Sequence, residues 1–213
     1  MNTFMAAPIP STSQCLAYFD QYEMLDNIRD HSILVARLAG ALADGLARTG
    51  KSPTPLPNRE ETIAGALLHD IAKTLCIKTG CQHADIGGQI CAELGFPQLG
   101  EIVVEHVVLR HFHADLYRRG LFGAKELVFY ADKRVLHDRV VPLADRLEYI
   151  LKRYGNGNPQ KEQFIHLNFN RTLDLEKYLF SYLDFTPDEA TQHLPADLFP
   201  GSTAGQDPGM ISP

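Results

Sequence analysis

Residues 63–70 read Ile-Ala-Gly-Ala-Leu-Leu-His-Asp, an apolar run that ends in an imidazole beside a carboxylate. Such a run is typical of a buried helix, where polar side chains need partners. A His-Asp pair alone is weak evidence of a site, because many helices contain one by chance. Two ligand types side by side on a buried helix turn often share a metal ion, and His31 and Asp132 add weight to that interpretation of His69 and Asp70.

His31 and Asp132 occupy similar positions in two other segments. Apolar residues follow His31 three, four, seven and eleven positions later, and they flank Asp132 four positions before and three and four positions after. This spacing predicts helices that direct both side chains toward the interior. A helical core that buries two histidines and two aspartates together would be unstable without a cation.

The order His31, His69-Asp70, Asp132 resembles the HD-domain superfamily of metal-dependent phosphohydrolases. Residues 69–73, His-Asp-Ile-Ala-Lys, are similar to the HDIG variant of its motif, with Ala72 where that subgroup often has glycine. The resemblance covers roughly residues 25–150 and implies an all-α HD-domain helical bundle. It also implies that His31, His69, Asp70 and Asp132 ligate one metal ion.

Further histidines extend the resemblance to the two-metal branch of the superfamily. It is closest to the symmetrical dinucleoside-tetraphosphate hydrolases, which implies that His83 and His111 bind a second metal ion with Asp70 as the bridge. His106 is an alternative or additional ligand. For each of these histidines, the other interpretation is an ordinary helical side chain bonded to a carbonyl group or to water.

The ligand types predict the chemistry. Nitrogen and carboxylate donors suit Fe, Mn, Zn, Ni or Mg, and both the identity and the number of ions, one or two, stay open. A bound cation lowers the pKa of its water, so that hydroxide can attack phosphorus near neutral pH. Asp70 either bridges two ions or orients the water beside one.

Three basic side chains are candidates for holding the substrate phosphate. Lys73 lies one helical turn after Asp70 and is expected on the same side, where it is also a candidate catalytic residue. Arg110 and Arg134 lie close in sequence to a candidate ligand each. The alternative for all three is a solvated helix face.

Length and composition predict one domain over residues 11–190, between a flexible arm at 1–10 and a disordered tail at 191–213. The 213 residues are 45% hydrophobic and 22% charged, which is enough for a substantial core. The formal charge of −6 argues against a nucleic-acid partner. A small phosphorylated substrate still fits, because a metal ion reverses the local field. A homodimer is possible.

Membrane and secretory signals are missing from the sequence, which contains no secretory apolar segment and no stretch long enough to cross a bilayer. The four cysteines, at positions 15, 76, 81 and 91, show no CxxC pairing. They predict reduced thiols in the cytoplasm, and a link between Cys76 and Cys81 is conceivable but has no support in the sequence.

Periodicity and breakers predict the element order. A loop is expected over residues 112–123, and Pro142 should kink or split the helix that carries Asp132. The predicted helices cover residues 11–24, 30–48, 59–75, 84–94, 97–110 and 124–154, and one or two more are expected over residues 161–183.

Two interpretations of function from different classes stay open, with a third less favoured. The first is a metal-dependent phosphohydrolase that acts on a nucleotide-like substrate. The second is a regulatory HD module that senses a nucleotide without turnover, and the third is a di-iron oxygenase on the same scaffold. The segments typical of alarmone hydrolases and of cyclic-di-GMP phosphodiesterases are missing, and nothing in the sequence selects a substrate among the other nucleotides.

Overall fold

The computed structural model describes residues 7–196 and residue 198, and this part of the chain is mostly helical, with two short strands. The all-α fold is therefore confirmed. A π-helical turn (Leu151–Gly155) and a 3-10 helix (Pro187–His193) accompany the α-helices. The α-helices are α1 (Thr12–Gln21), α2 (Asp26–Thr49), α3 (Arg59–Leu68), α4 (Lys73–Thr79), α5 (His83–Glu93), α6 (Pro97–Glu105), α7 (Ala114–Arg118), α8 (Ala124–Arg134), α9 (Leu143–Ile150) and α10 (Pro159–Ser181).

Side-chain caps set several of the helix ends. Ser11 and Gln14 form a capping box at the start of α1, in which the Ser11 hydroxyl accepts from the Gln14 backbone amide at 3.2 Å. Asn58 caps α3 by accepting from the Glu61 amide at 3.1 Å. Gly50 ends α2 with a φ of +62°, a conformation that glycine adopts without strain.

Helix α2 forms the centre of the domain and packs against α3 and α8, while α5 packs against α6. Leu38 and Leu42 of α2, Leu67 of α3 and Phe129 of α8 are fully buried in this core. The α5–α6 contact is close, because Gly88 and Gly100 face each other there. This packing brings the ends or inner faces of α2, α3, α5, α6 and α8 to one region.

The predicted helix over residues 59–75 is wrong in one respect, because it is interrupted at the His-Asp pair. Residues 69–72 form a tight turn between α3 and α4, with backbone bonds from Ile71 N to the Leu68 carbonyl at 3.0 Å and from Lys73 N to the Asp70 carbonyl at 2.9 Å. The side chains of His69 and Asp70 therefore project from a turn. The predicted helix over 97–110 likewise ends early, at Glu105.

The predicted helix over residues 124–154 is also divided, earlier than Pro142. Helix α8 ends at Arg134, and two short antiparallel strands follow, β1 (Val135–Leu136) and β2 (Arg139–Val140). Pro142 then caps the start of α9. The hairpin turns the chain back, so that α9 packs beside α8 instead of extending it.

Two of the four cysteines are not the reduced thiols predicted from the sequence. Cys76 and Cys81 form a disulfide across the end of α4, whereas Cys15 and Cys91 are free and buried. A disulfide is uncommon in a reducing compartment, so the cysteines no longer support a cytoplasmic location. Among the described residues, none of the helices has both the length and the apolar character that crossing a bilayer requires.

The chain near residue 191 contacts α2, since Arg37 Nε donates to the Pro195 carbonyl at 3.0 Å and Leu198 is buried. The rest of the predicted tail, and residues 1–6 of the predicted arm, lie outside the described residues.

Candidate metal centre

Six of the predicted site residues meet at one place in the interior. His31 comes from α2, His69 and Asp70 from the turn after α3, His83 from the first turn of α5, His106 from the end of α6, and Asp132 from α8. Five of them are buried, and only the His83 side chain is partly exposed, at 27%.

His31 and Asp132 form the contact that joins the two most distant segments. The His31 Nε2 atom lies 3.0 Å from Asp132 Oδ1, although 101 residues separate them. The same Oδ1 atom lies 3.8 Å from His69 Nε2. Burial lowers the pKa of His31, an effect that Asp132 only partly opposes, so the imidazole is held in the neutral form that binds metals.

His69 and His106 are oriented in the same way. Each follows the last residue of its helix, and each Nδ1 atom bonds to the backbone carbonyl three residues earlier, Ala66 at 2.6 Å and Val103 at 2.5 Å. This bond places the proton on Nδ1 and leaves the Nε2 lone pair directed at Asp70. Burial also lowers the pKa of His106 to about 4, which keeps the ring neutral at pH 7.

Asp70 lies at the centre of the cluster. Its Oδ2 atom accepts from Lys73 Nζ at 2.6 Å, while Oδ1 lies 3.3 Å from His83 Nε2 and 3.5 Å from His106 Nε2. Burial disfavours the charged carboxylate, but the neighbouring Lys73 ammonium group outweighs it and holds the pKa of Asp70 well below its usual range. The carboxylate is therefore ionised in a fully buried position.

Two buried atoms of this cluster, Asp70 Oδ1 and His69 Nε2, have no hydrogen-bond partner. Unpaired buried acceptors are costly, and a cation bound between them would satisfy both. The possible ligand atoms form two groups, and within each group all of them lie within 4.8 Å of one another. The first group is His31, His69 and Asp70, and the second is Asp70, His83 and His106. The residues thus fit a divalent ion, and Asp70 is shared by both groups.

Two basic residues near Asp132 were missed by the sequence analysis. Lys133 Nζ donates to Asp132 Oδ2 at 2.7 Å and to the His106 carbonyl at 2.8 Å. Arg146 Nη2 lies 3.6 Å from Asp132 Oδ1. Nearly all of α8 is buried, so helical periodicity could not show which side of the helix Lys133 occupies. Arg146 was missed because the sequence contains no clear strand pattern for the hairpin that brings α9 back to Asp132.

Three predicted site residues lie away from the cluster. The His111 side chain is 69% exposed, and its Nδ1 atom lies 3.0 Å from Glu105 Oε1. The position beside Asp70 that the sequence analysis predicted for His111 is occupied by His106. Arg110 pairs with exposed Asp85 at 3.2 Å. Arg134 is buried among backbone carbonyls, Tyr130 and Glu176, because α8 buries its whole last turn.

A cavity of about 430 Å³ opens from the cluster toward α9 and α10. Lys73, His83, His106 and Asp132 line the end nearest the cluster. Apolar side chains from the segment after α6 and from α10 line part of the remainder, together with residues of α4 and α9. The cavity connects the candidate metal centre with solvent, as a substrate site requires.

Comparison with known proteins agrees with this geometry. The profile of the HD domain family matches residues 28–150, more than half of the chain. An uncharacterized protein of Methanocaldococcus jannaschii is 24% identical over 156 residues, which cover 67% of this chain and 86% of that relative. No solved structure matches the chain.

Proposed function

The chain belongs to the HD domain family, and we propose that it is a metal-dependent phosphohydrolase that cleaves a phosphoester or phosphoanhydride of a nucleotide-like substrate. HD domains are generally metal-dependent hydrolases and bind divalent metals. One observation carries the proposal for this chain. The ionised Asp70 carboxylate is buried between two groups of histidines, with one oxygen that no donor satisfies.

The ligands of the proposed site divide into two groups around Asp70. His31, His69 and Asp132 would hold one ion with Asp70, and His83 and His106 would hold a second. Bound there, the cation would supply an activated water and neutralise charge on the phosphate oxygens. Which ion binds, among Fe, Mn, Zn, Ni and Mg, is left to measurement, since the ligands suit several.

The protein's own residues hold these ligands in place. The carbonyl groups of Ala66 and Val103 fix the tautomers of His69 and His106. Lys73 keeps Asp70 ionised, and its position beside the cavity leaves further N–H groups for a substrate phosphate oxygen. Lys133 holds the Asp132 carboxylate in place by a similar hydrogen bond from its ammonium group.

The test is phosphate release by metal-reconstituted protein from a panel of nucleotides, with dinucleoside tetraphosphates included because of the sequence resemblance. Each of the five metals is added in turn to protein stripped by a chelator. Turnover that depends on the metal supports the proposal. Nucleotide binding without turnover would favour a sensing module, and oxygen consumption without phosphate release would favour an oxygenase.

A further inference from the structure

The far side of the cavity is apolar. We call six of its lining residues the apolar wall: Val107, Val108, Ile150, Phe164, Ile165 and Phe169. Phe169 is buried at the base of the apolar wall, whereas Phe164 lies at the rim of the cavity and is 55% exposed. A substrate body placed against this wall would leave water, which favours an apolar or flat aromatic group.

Positive charge in the cavity is limited. Three basic side chains are among its lining residues, Lys73, Lys133 and Arg146. Lys73 and Lys133 already donate to Asp70 and Asp132, at 2.6 Å and 2.7 Å. Away from the candidate metal centre, a chain of several phosphates would need several further cationic donors along the cavity, and the described lining offers one there, Arg146.

Arg146 differs from the two lysines. Its closest carboxylate oxygen lies 3.6 Å from Nη2, beyond hydrogen-bond distance, and its Nε atom is buried without a partner. The guanidinium therefore pairs with Asp132 through charge alone, and its N–H groups can donate hydrogen bonds to the oxygens of one phosphate group beside Asp132.

We propose that the substrate is an ester of a single phosphate with an apolar body, whose phosphate is held by Arg146 and whose body lies on the apolar wall. This inference rests on the proposed function and narrows its substrate class. In the reaction, water adds to phosphorus and the P–O ester bond breaks. The ester oxygen keeps the electron pair and takes a proton, which gives orthophosphate and an alcohol.

Two sources share this chemistry, a nucleoside monophosphate and an aryl phosphate outside nucleotide metabolism. The first experiment measures kcat/KM of the metal-reconstituted protein for 2-naphthyl phosphate, AMP, ADP and diadenosine tetraphosphate. We expect both monophosphates to exceed both polyphosphates by about tenfold or more. The faster monophosphate identifies the source, and a faster polyphosphate overturns the inference while leaving the proposed function intact.

If no compound is hydrolysed, the proposed function is contradicted but the substrate inference is not. A binding measurement then tests the inference by itself. Naphthylmethylphosphonate, which has no ester bond to cleave, is titrated into the protein by calorimetry. Binding that weakens in the variants below supports the inference. Equal binding to wild type and variants, or no binding, overturns it.

Two variants and their matched controls complete the test. Phe164→Ala should raise KM for 2-naphthyl phosphate about fivefold, because the rim loses apolar contact. Leu167→Ala should not change it, since Leu167 lies on the same helix with 57% exposure but outside the cavity.

Arg146→Gln should raise both KM and the inhibition constant of orthophosphate about tenfold, without loss of bound metal. Exposed Arg153, which does not line the cavity, provides the control in Arg153→Gln. Unchanged orthophosphate inhibition in Arg146→Gln would contradict the assigned role.

Discussion

His83 and His106 bring their Nε2 atoms within 3.2 Å of each other, although they belong to different helices. The His106 Nδ1 atom bonds to the Val103 carbonyl, so its Nε2 atom carries a lone pair. Asp70 Oδ1 approaches both rings. The His106 lone pair and the Asp70 carboxylate thus converge on His83 Nε2, an arrangement that either a proton on His83 or a cation between the three atoms satisfies; the cation would be the second ion of the proposed site.

This relationship predicts different results for two neighbouring histidines. His106→Gln should lower the number of metal ions bound per chain and reduce turnover by about tenfold or more, because a ligand of the second group is lost. His111→Gln should change neither, since that side chain lies on Glu105 at the surface. Elemental analysis and phosphate release measure both. Circular dichroism checks that the variants are folded, and a metal loss confined to His111→Gln would contradict the assignment.

The α5–α6 contact sets the position of His83 and is sensitive to one methyl group. A Cβ atom at Gly100 would lie 2.7 Å from the backbone carbonyl oxygen of Gly88, which cannot move without moving α5. Gly100→Ala should therefore lower the free energy of unfolding by about 2 kcal/mol in a urea titration.

Gly40→Ala is the control for that substitution. Its nearest contacts would be Ile63 side-chain atoms at 3.4 Å, so the alanine fits within α2. The higher helix propensity of alanine should raise the free energy of unfolding by about 0.5 kcal/mol. Equal changes in the free energy of unfolding for the two substitutions would contradict the close approach of α5 and α6 at Gly88 and Gly100.

Arg134 should affect stability and leave substrate binding unchanged. Its guanidinium donates to the Val141 carbonyl at 2.7 Å and to the Pro187 carbonyl at 3.0 Å. It also pairs with Glu176 at 3.1 Å. Arg134→Met should cost about 3 kcal/mol in the free energy of unfolding, because it leaves buried partners unpaired.

The matched control is Arg110→Met, because among the described residues the Arg110 guanidinium pairs with exposed Asp85 alone. It should change the free energy of unfolding by less than about 0.5 kcal/mol. A rise in KM for Arg134→Met with no change in stability would restore Arg134 as a substrate-binding residue.

The cysteines should differ in reactivity. Burial raises the pKa values of the Cys15 and Cys91 thiols to about 12, so both stay protonated and unreactive in the native protein at neutral pH. Iodoacetamide followed by mass spectrometry should modify neither until the protein is unfolded. Cys76 and Cys81 should react only after reduction. Alkylation of Cys76 in native, unreduced protein would contradict the disulfide.

Much of the architecture follows from local sequence signals. Periodic apolar residues predicted the all-α fold, and the helices predicted over residues 11–24 and 59–75 begin within one residue of the starts of α1 and α3. The inward phase of His31 and Asp132 anticipated their contact, because helical phase determines which side chains face the core. Those features depend on residues within one or two helical turns of each other.

The remaining features depend on where the chain changes direction. On one continuous helix Arg146 would lie about 20 Å from Asp132, whereas the hairpin at residues 135–140 brings the two side chains together. Similarly, α6 ends at Glu105, which turns His106 inward and His111 outward. Such turns are determined by tertiary packing, so sequence spacing alone could not show which of His106 and His111 faces Asp70.

The central claim is that Asp70 holds a divalent cation together with the surrounding histidines. Elemental analysis of protein purified without added metal tests it most directly, with wild type and Asp70→Ala compared at equal concentration. We predict at least one divalent ion per wild-type chain, and loss of both metal and turnover in Asp70→Ala. A folded Asp70→Ala protein that keeps its metal and its activity would contradict the account.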